Sequence, residues 1–563
     1  MAEREDGVVI VGAGPVGLTL AIDLARRGVP VTVLEQRRAG EPPSVKCNHI
    51  SSRSMEIYRE LGLAGALRDA GLPADYPNDA TYNVSVMGAE LTRIRIPCRA
   101  ERYTAKGYVD SDWPTPEPPH RINQVFAEPI LFAHAKAQPN IRILSRVAVE
   151  RVTQDATGAA AYGRNLDSGE PVSVRGRWLV GCDGGHSVVR KSVGIKLIGD
   201  AEVSKLCSTH IRAPDLLGRI PHPRAWMFHA VNPRHHGIVV AIDGREEWLI
   251  HTPLPAGRAD FEGFDADAAL RAVLGVGADF SYEILGREKW TARRLVAAEL
   301  RHGRVFLSGD AAHLWIAVAG YGMNAGIADA MNLSWMLAAV HHGWAPEAIL
   351  DAHDRERHPI TEQVSRFVTA LAVRSIKDAP RGGNVPAEIE ADGPAGDAVR
   401  AEIGQRLYDI NLPQFFCAGL NYGYFYDRSP LVAYDGEEAP AYTMDGYTPS
   451  TVPGCRAPHL WLDDGRSLYD AMGPGFSLLR LDPAVEVEGL LAAAAARGVP
   501  LDLVDVRSDE AAALYDRKLV LARPDRHVAW RGDRVPADPE ALIDLVRGAT
   551  MAPAAAPTER ADA

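Results

Sequence analysis

The sequence has few cysteines and none in close pairs. Six stand among 563 residues, Cys47, Cys98, Cys182, Cys207, Cys417 and Cys455, and no two form a C-x-x-C. A disulfide framework, a zinc site built on close cysteine pairs and a redox dithiol are all disfavoured. Scattered thiols in a large acidic chain fit a reduced, cytoplasmic protein. No H-E-x-x-H and no Cys/His cluster points to a metal. No apolar run approaches the roughly 18–20 residues that span a bilayer, and the acidic start Met1–Asp6 lacks the apolar stretch of a secretory signal. Positive charge is in deficit: 61 Lys and Arg against 73 Asp and Glu leave −12. A nucleic-acid partner is disfavoured, since phosphate binding needs a basic surface. What is present, 46% hydrophobic and 24% charged residues, is the balance of a globular chain with several cores.

The first β–α–β unit can be read directly. Val8–Val11 is a buried-strand run, Pro15–Gly28 a helix with its proline in the first turn, and Val31–Leu34 a second strand ending at Glu35. Ser52–Leu63 and Asn123–Ala137 read as helices, and the proline-rich stretch 110–121 as irregular chain. From Ile141 to Cys182 short β-rich runs alternate with turn signals, the pattern of a β-meander between α/β parts. Residues 203–255 read as an antiparallel sheet, Val305–Ser308 as a strand and Ala325–Val340 as a helix. The expected organisation is α/β throughout. A dinucleotide-binding unit spans 1–377 with an inserted sheet at about 190–290, a linker or surface loop spans 378–410, a small domain 411–548 and a frayed tail 549–563. In the small domain Ser477–Leu481 and Leu501–Val506 read as strands, and Val485–Arg497 and Pro539–Arg547 as helices.

Three motifs carry chemistry. The first is Gly12-Ala13-Gly14-Pro15-Val16-Gly17. Gly12 permits a tight turn, Gly14 lets a pyrophosphate approach the backbone, and Gly17 lets helix and strand pack closely; the helix N-terminus then offers N–H groups to the phosphates. Glu35 ends the second strand, where a carboxylate can accept from a ribose, and Gln36 and Arg37 follow it. This motif alone does not choose between FAD and NAD. The second runs from Leu179 through Asp183-Gly184 to Ser187 and Arg190. The third delivers Gly309-Asp310 from a strand, with Gly320-Tyr321-Gly322-Met323-Asn324 following. Small residues there allow close approach of a flat ligand.

In this order and spacing, over residues 7 to about 370, the motifs resemble the group A flavoprotein monooxygenases, the aromatic hydroxylases that include phenol and p-hydroxybenzoate hydroxylases. The resemblance implies a Rossmann-type FAD-binding domain, an inserted antiparallel substrate sheet and a C-terminal thioredoxin-like domain without C-x-x-C, suited to packing, pocket closure or dimerisation. A homodimer is left open. By the same resemblance Gly12, Gly14 and Gly17 hold the FAD pyrophosphate and Glu35 the adenosine ribose. Asp183 and Gly184 belong to a motif linked to FAD and NAD(P)H, Asp310 meets the ribityl chain, and Gly322, Met323 and Asn324 lie against the isoalloxazine. Arg53 and Gln124 match FAD-contacting residues, Lys46 stands where the family has an arginine near the mobile flavin, and Val149 is counted with the cofactor set. One departure stands out: the family's Pro-Pro before the glycines is replaced by Leu314-Trp315-Ile316-Ala317-Val318-Ala319.

The implied reaction uses bound FAD, transient NADPH or NADH, and O₂. A flavin C4a-hydroperoxide hydroxylates a phenolic or polyketide-like aromatic, helped by a base near the substrate hydroxyl. His49, Asn48 and His229 are the catalytic candidates. Trp226, Trp248, His251, Trp290, Trp315 and Tyr321 are the candidates for the pocket wall. His313, in the Gly-Asp motif, reads as structural. Two alternatives keep the fold: a Baeyer–Villiger or oxidative-rearrangement enzyme, and a non-catalytic FAD protein that shelters a reactive intermediate. A halogenase is disfavoured, because no W-x-W-x-I-P segment is present.

Overall fold

The computed structural model describes residues 7–552 apart from 44, 256, 257, 259, 317–319, 379 and 381–383. The acidic start Met1–Asp6, the tail from 553 onward and the Ala317–Ala319 part of the departing segment lie outside the described residues.

Strand Val8–Val11 sits at the centre of a six-stranded sheet. Val8 lies opposite Val31 on one side and Trp178 on the other, both in parallel register. Ile141–Ser145 extends the sheet beyond Val31–Glu35, and Val305–Leu307 extends it beyond Trp178–Gly181. The inner strands are apolar almost without interruption, because parallel strands are covered on both faces. Helices Pro15–Arg26 and Tyr321–His341 pack together there. Between Ile141–Ser145 and Trp178–Gly181 the chain makes the expected meander, three antiparallel strands from Val147 to Gly176.

The second large sheet has eight strands. Its bounds differ from the expected insertion at 190–290. Ala80–Asn83 and Glu90–Ile94, which come much earlier in the chain, form one side of it, and Glu283–Ala297 with His313–Leu314 the other. Short strands of mixed polarity carry little periodic signal, and pairing with Met227–Val231 on one side and Glu90–Ile94 on the other makes Ala80–Asn83 a strand.

The stretch read as a linker, 378–410, is also different. Its second half lies in a helix, Pro394–Phe415. Both faces of that helix are mixed in polarity, which hides the 3.6-residue period. Tertiary contact supplies the stability: Ile403 and Leu407 pack with Ile94, Ile96 and Val231 of the sheet, and Gly404 lies so close to the Leu91 carbonyl that a Cβ would sit 2.2 Å from it.

The C-terminal unit carries the sheet order Leu501–Asp505, Phe476–Arg480, Leu519–Ala522, Val528–Gly532. The first pair is parallel and the others antiparallel, with helices Glu488–Ala496 and Pro539–Val546 alongside. With the short helix Ala511–Leu514 between the second and third strands, this β–α–β–α–β–β–α arrangement is thioredoxin-like. It is fixed to the rest by two buried ion pairs and one at the surface. Arg523 donates to both oxygens of Glu356 at 2.6 and 2.7 Å, Arg456 pairs with Glu56, and Arg59 meets Asp470 at 2.8 Å with both side chains about one-third exposed. Trp335, Trp344 and Phe476 pack against one another at the same junction.

Candidate functional site

At the head of the six-stranded sheet the glycine turn is shaped for a dinucleotide. Gly12 has φ +105° and a Cβ there would lie 2.3 Å from the Cys182 carbonyl. A Cβ on Gly17 would lie 2.1 Å from the Gly12 carbonyl. Gly14 differs: nothing lies within 4 Å of its Cβ position. Gly12 and Gly17 are therefore needed for packing, and the space at Gly14, at the N-terminus of helix Pro15–Arg26, is free for a ligand. Glu35 accepts from Ala13 N at 2.7 Å and Arg37 N at 2.9 Å. Arg37 bridges to Glu128 at 2.6 Å, and Gln124 donates to the same carboxylate at 2.9 Å. Gln36 is exposed, and Val149 packs at the edge of the core that contains Leu34.

The second and third motifs are joined to this turn. Asp183 caps helix Val188–Ser192, accepting from Val188 N and Val189 N at 2.7 and 3.0 Å, and burial pushes its carboxyl above the usual range. Gly184 beside it has φ +78° and open space at its Cβ position. Arg190 donates to the Ala311 carbonyl at 2.8 Å and to Gly185 at 3.0 Å. A Cβ on Gly309 would touch Val16 at 3.1 Å, and one on Gly326 would crowd both Val16 and Gly309. Asp310 opens onto the central cavity; enclosure by protein raises its carboxyl, opposed by the nearby charges of His313 and Lys46. His313 itself is structural, bonded to Asp329 at 2.9 Å, and Asp329 also accepts from Arg357.

A cavity of about 880 Å³ runs from this end of the FAD-type fold to the eight-stranded sheet. Lys46, His49, Asp310 and Gly320 line it from the FAD-type fold and His229, His251 and Trp290 from the sheet, and Trp226 and Trp315 also face it. The helices Asp351–Asp378 and Pro394–Phe415 contribute Ser375, Leu407 and Phe415 to its wall. On the sheet face a single cross-strand row can be followed through successive partners: Tyr82, His229, Ile238, His251, Ser208 and Glu288. Tyr82 and His229 stack at 4.4 Å.

Two of the six residues predicted for the pocket wall, Trp248 and Tyr321, do not line the cavity, and Arg53, predicted to meet FAD, does not either. Trp248 is fully buried on the opposite face of the sheet against Phe228. On strand Glu247–Pro253 side chains alternate, so Leu249 and His251 face the cavity while Trp248 and Ile250 enter the core. Tyr321 turns into the cluster around Leu420 and Tyr424, because residues in the first turn of helix Tyr321–His341 point to different sides. Arg53 reaches into the C-terminal unit, donating to His527 at 3.1 Å with its guanidinium 4.6 Å from the Tyr424 ring. Asn324 binds its own neighbourhood, accepting from Ser51 N at 2.9 Å and donating to the His49 and Gly320 carbonyls. Met323 packs against the core, and Gly322 has open space.

The catalytic candidates acquire a definite chemistry. Asn48 accepts from Asn123, so its side chain shapes the segment beside the cavity. His49 Nδ1 is bonded by Arg121 Nη1. A guanidinium can only donate, so Nδ1 accepts and the neutral ring carries its proton on Nε2. Burial, and then the charges of Arg121 and Arg102, hold His49 well below the usual histidine range. It is a donor, and the base role expected of it does not fit. Arg121, Asp110 and Arg102 were not singled out from the sequence. Arg121 stacks over Trp226 at 4.8 Å and pairs with Asp110 at 3.3 Å, and Arg102 meets the other Asp110 oxygen at 2.8 Å. Burial lowers Arg121 to about 10. Asp110 lies at the edge of a proline-rich stretch with no periodic pattern, which left no signal for the cluster.

A family model described as an FAD binding domain matches residues 5–368, and one described as the C-terminal part of aromatic-ring hydroxylases matches 450–553. The chain is 31% identical to the FAD-dependent monooxygenase apdD of Emericella nidulans, over 95% of this chain and 88% of that protein. The structure of RebC soaked with chromopyrrolic acid, with bound 7-carboxy-K252c, superposes with TM-score 0.88 at 34% identity, covering 98% of this chain and all of that one. A ternary complex of aklavinone-11 hydroxylase with FAD and aklavinone superposes with TM-score 0.79 at 26% identity, covering 97% and 100%.

Proposed function

The chain belongs to the FAD-binding aromatic-ring hydroxylases, and from that premise we propose that its central cavity presents a multi-ring, polyketide-like aromatic to the flavin. It is an FAD-dependent monooxygenase that uses NAD(P)H and O₂ on aromatic substrates. The observation that carries the proposal is the cavity itself, about 880 Å³, continuous from Asp310 and Lys46 to Trp226, His251 and Trp290. That volume, at the large end of ordinary ligand pockets, has to hold the flavin ring at its Asp310 end as well as the substrate against the sheet. The relatives' bound aromatics, 7-carboxy-K252c and aklavinone, are in keeping with it.

The residues present fit FAD. The open space at Gly14 before a helix N-terminus suits a pyrophosphate, Glu35 ends the strand where a ribose is held, and the Asp310 carboxylate opens on the cavity between them and the substrate sheet. Bound FAD supplies the oxygen chemistry. The chain's own residues do the remainder. Trp226, Trp290 and Trp315 exclude water, and Arg121, held by Asp110 and His49, sets positive charge beside the cavity, where it favours an ionised substrate oxygen. His49 directs an N–H donor at this wall. The comparisons do not favour a Baeyer–Villiger outcome or a carrier role over hydroxylation.

The test is direct. The purified protein is expected to be yellow, and its NADPH or NADH consumption to rise with one member of a panel of phenols and fused-ring aromatics. The product should be heavier by one oxygen. A yellow protein whose consumption no aromatic stimulates would overturn the reading.

A further inference from the structure

We infer that His251 is a substrate-binding hydrogen-bond donor, fixed in its Nε2–H form by a relay from Trp290 through Ser208, and that it selects aromatics bearing a ring-conjugated carbonyl oxygen. This rests on the hydroxylase reading and names the substrate feature that the sheet end of the cavity recognises.

The relay follows from which groups can donate. The indole N–H of Trp290 lies 2.7 Å from Ser208 Oγ, and an indole nitrogen only donates. Ser208 Oγ is in turn 2.7 Å from His251 Nδ1. The hydroxyl accepts from Trp290 and has one hydrogen to give, and His251 Nδ1 is its only other side-chain partner among the described residues. The arrangement that places the Ser208 hydrogen on a protein acceptor has Nδ1 accept it, and we assign the ring proton to Nε2 on that ground. Burial lowers His251 to about 4, so the ring stays neutral near pH 7. Ser208 is itself buried and stands directly opposite His251 across the strand pair, which leaves the relay little freedom. Trp290 also meets the His251 ring edge-on at 6.4 Å.

The neighbours of His251 decide what it binds. Along the cross-strand row these are Ile238, which is apolar, and Ser208, whose hydrogen is already committed. A substrate hydroxyl accepting from His251 would find, among its row neighbours, only the second lone pair of the already doubly bonded Ser208 Oγ for its own hydrogen. A carbonyl oxygen has two lone pairs and no hydrogen to place. A site built on a donor rejects a ligand that leaves the donor unpaired.

The experiment compares 1-hydroxyanthraquinone with 1-hydroxyanthracene, which share three rings and one hydroxyl and differ in the carbonyls. Binding to the oxidised holoenzyme is followed by perturbation of the flavin absorbance, without NAD(P)H. The quinone is expected to bind about ten-fold more tightly, the worth of one neutral hydrogen bond. His251→Phe should remove that preference, and His251→Gln, which keeps an N–H donor, should restore part of it. Ser208→Ala should weaken it, and ¹⁵N shifts of labelled His251 should change from the Nε2–H form to a tautomer mixture. Equal affinity for the two probes, binding of neither, or a preference that survives His251→Phe would overturn the inference. Turnover is measured separately. A carbonyl preference without stimulated NAD(P)H consumption supports the His251 assignment and counts only against the hydroxylase reading.

Discussion

Arg523 holds Glu356 through two nitrogens, at 2.6 and 2.7 Å, with both side chains fully buried between the FAD-binding part and the thioredoxin-like unit. Asp525 lies on the other side of the guanidinium at 2.8 Å. A buried pair of this kind adds little net stability over an apolar pair, yet removing one partner strands the other charge. Glu356→Ala is expected to cost about 3–5 kcal/mol, seen as a lower urea midpoint. Because Arg523 also carries Asp525, only the triple variant Glu356→Leu, Arg523→Met, Asp525→Asn, which leaves no stranded charge, should recover much of that loss. A single variant as stable as the parent would contradict the geometry.

The glycine turn makes a contrast between two positions one helical turn apart. Gly14→Ala meets open space in an unstrained backbone, so the fold should be kept and FAD affinity reduced. Gly17→Ala places a Cβ 2.1 Å from the Gly12 carbonyl and should destabilise the apoprotein itself. Thermal unfolding of both apoproteins, together with FAD titration, separates the two effects. Equal unfolding temperatures would show that Gly17 is not a packing glycine.

Asp310→Ala should lower FAD occupancy, because a charged hydrogen bond of the kind expected there is worth roughly 1.5–3 kcal/mol. The ratio of flavin to protein absorbance after gel filtration reads this. An unchanged ratio would remove Asp310 from the cofactor set.

Buried neutral histidines give the protein a pH dependence of definite sign. Burial lowers His251 and His353 to about 4, and His120 and His459 to about 3. Their folded values lie below the ordinary 6.5, so the unfolded chain takes up protons first as pH falls. Stability is fully present above pH 6.5 and is lost progressively from there toward pH 3–4. The urea midpoint should therefore be flat between pH 7 and 8, as far as these groups decide it, and fall below pH 6.5. A midpoint that held down to pH 4 would mean these rings are not buried in neutral form.

Much of this was legible in the residues. The strand–glycine–helix–strand–acid pattern over Val8–Glu35 is local, and each residue type answers a local demand, so its structure matches element by element. The errors came where the answer depended on distant partners. Trp248 and His251 are three apart on one strand, which puts them on opposite faces, and only knowledge of the strand separates them. Arg53 belongs to a helix the sequence identifies, but its direction is set by Tyr424 and His527, far along the chain. Helix Pro394–Phe415 lacks an apolar stripe and is stabilised by the sheet it covers. The donor character of His49 and His251 likewise depends on Arg121 and Ser208, partners that only the folded chain brings close.

The cross-strand row from Tyr82 to Glu288 takes one residue from each of six strands, and none of the six is adjacent to another in the chain. The backbone ladder that aligns them is indifferent to side-chain identity, but the side chains work in couples: Tyr82 stacks on His229, and Ser208 is bonded to His251. The wall thus behaves as a keyboard played in chords. Descendants of this protein would drift toward new aromatics by changing such couples together while the flavin end, where Val16, Gly309 and Gly326 are jammed together, stays as inherited.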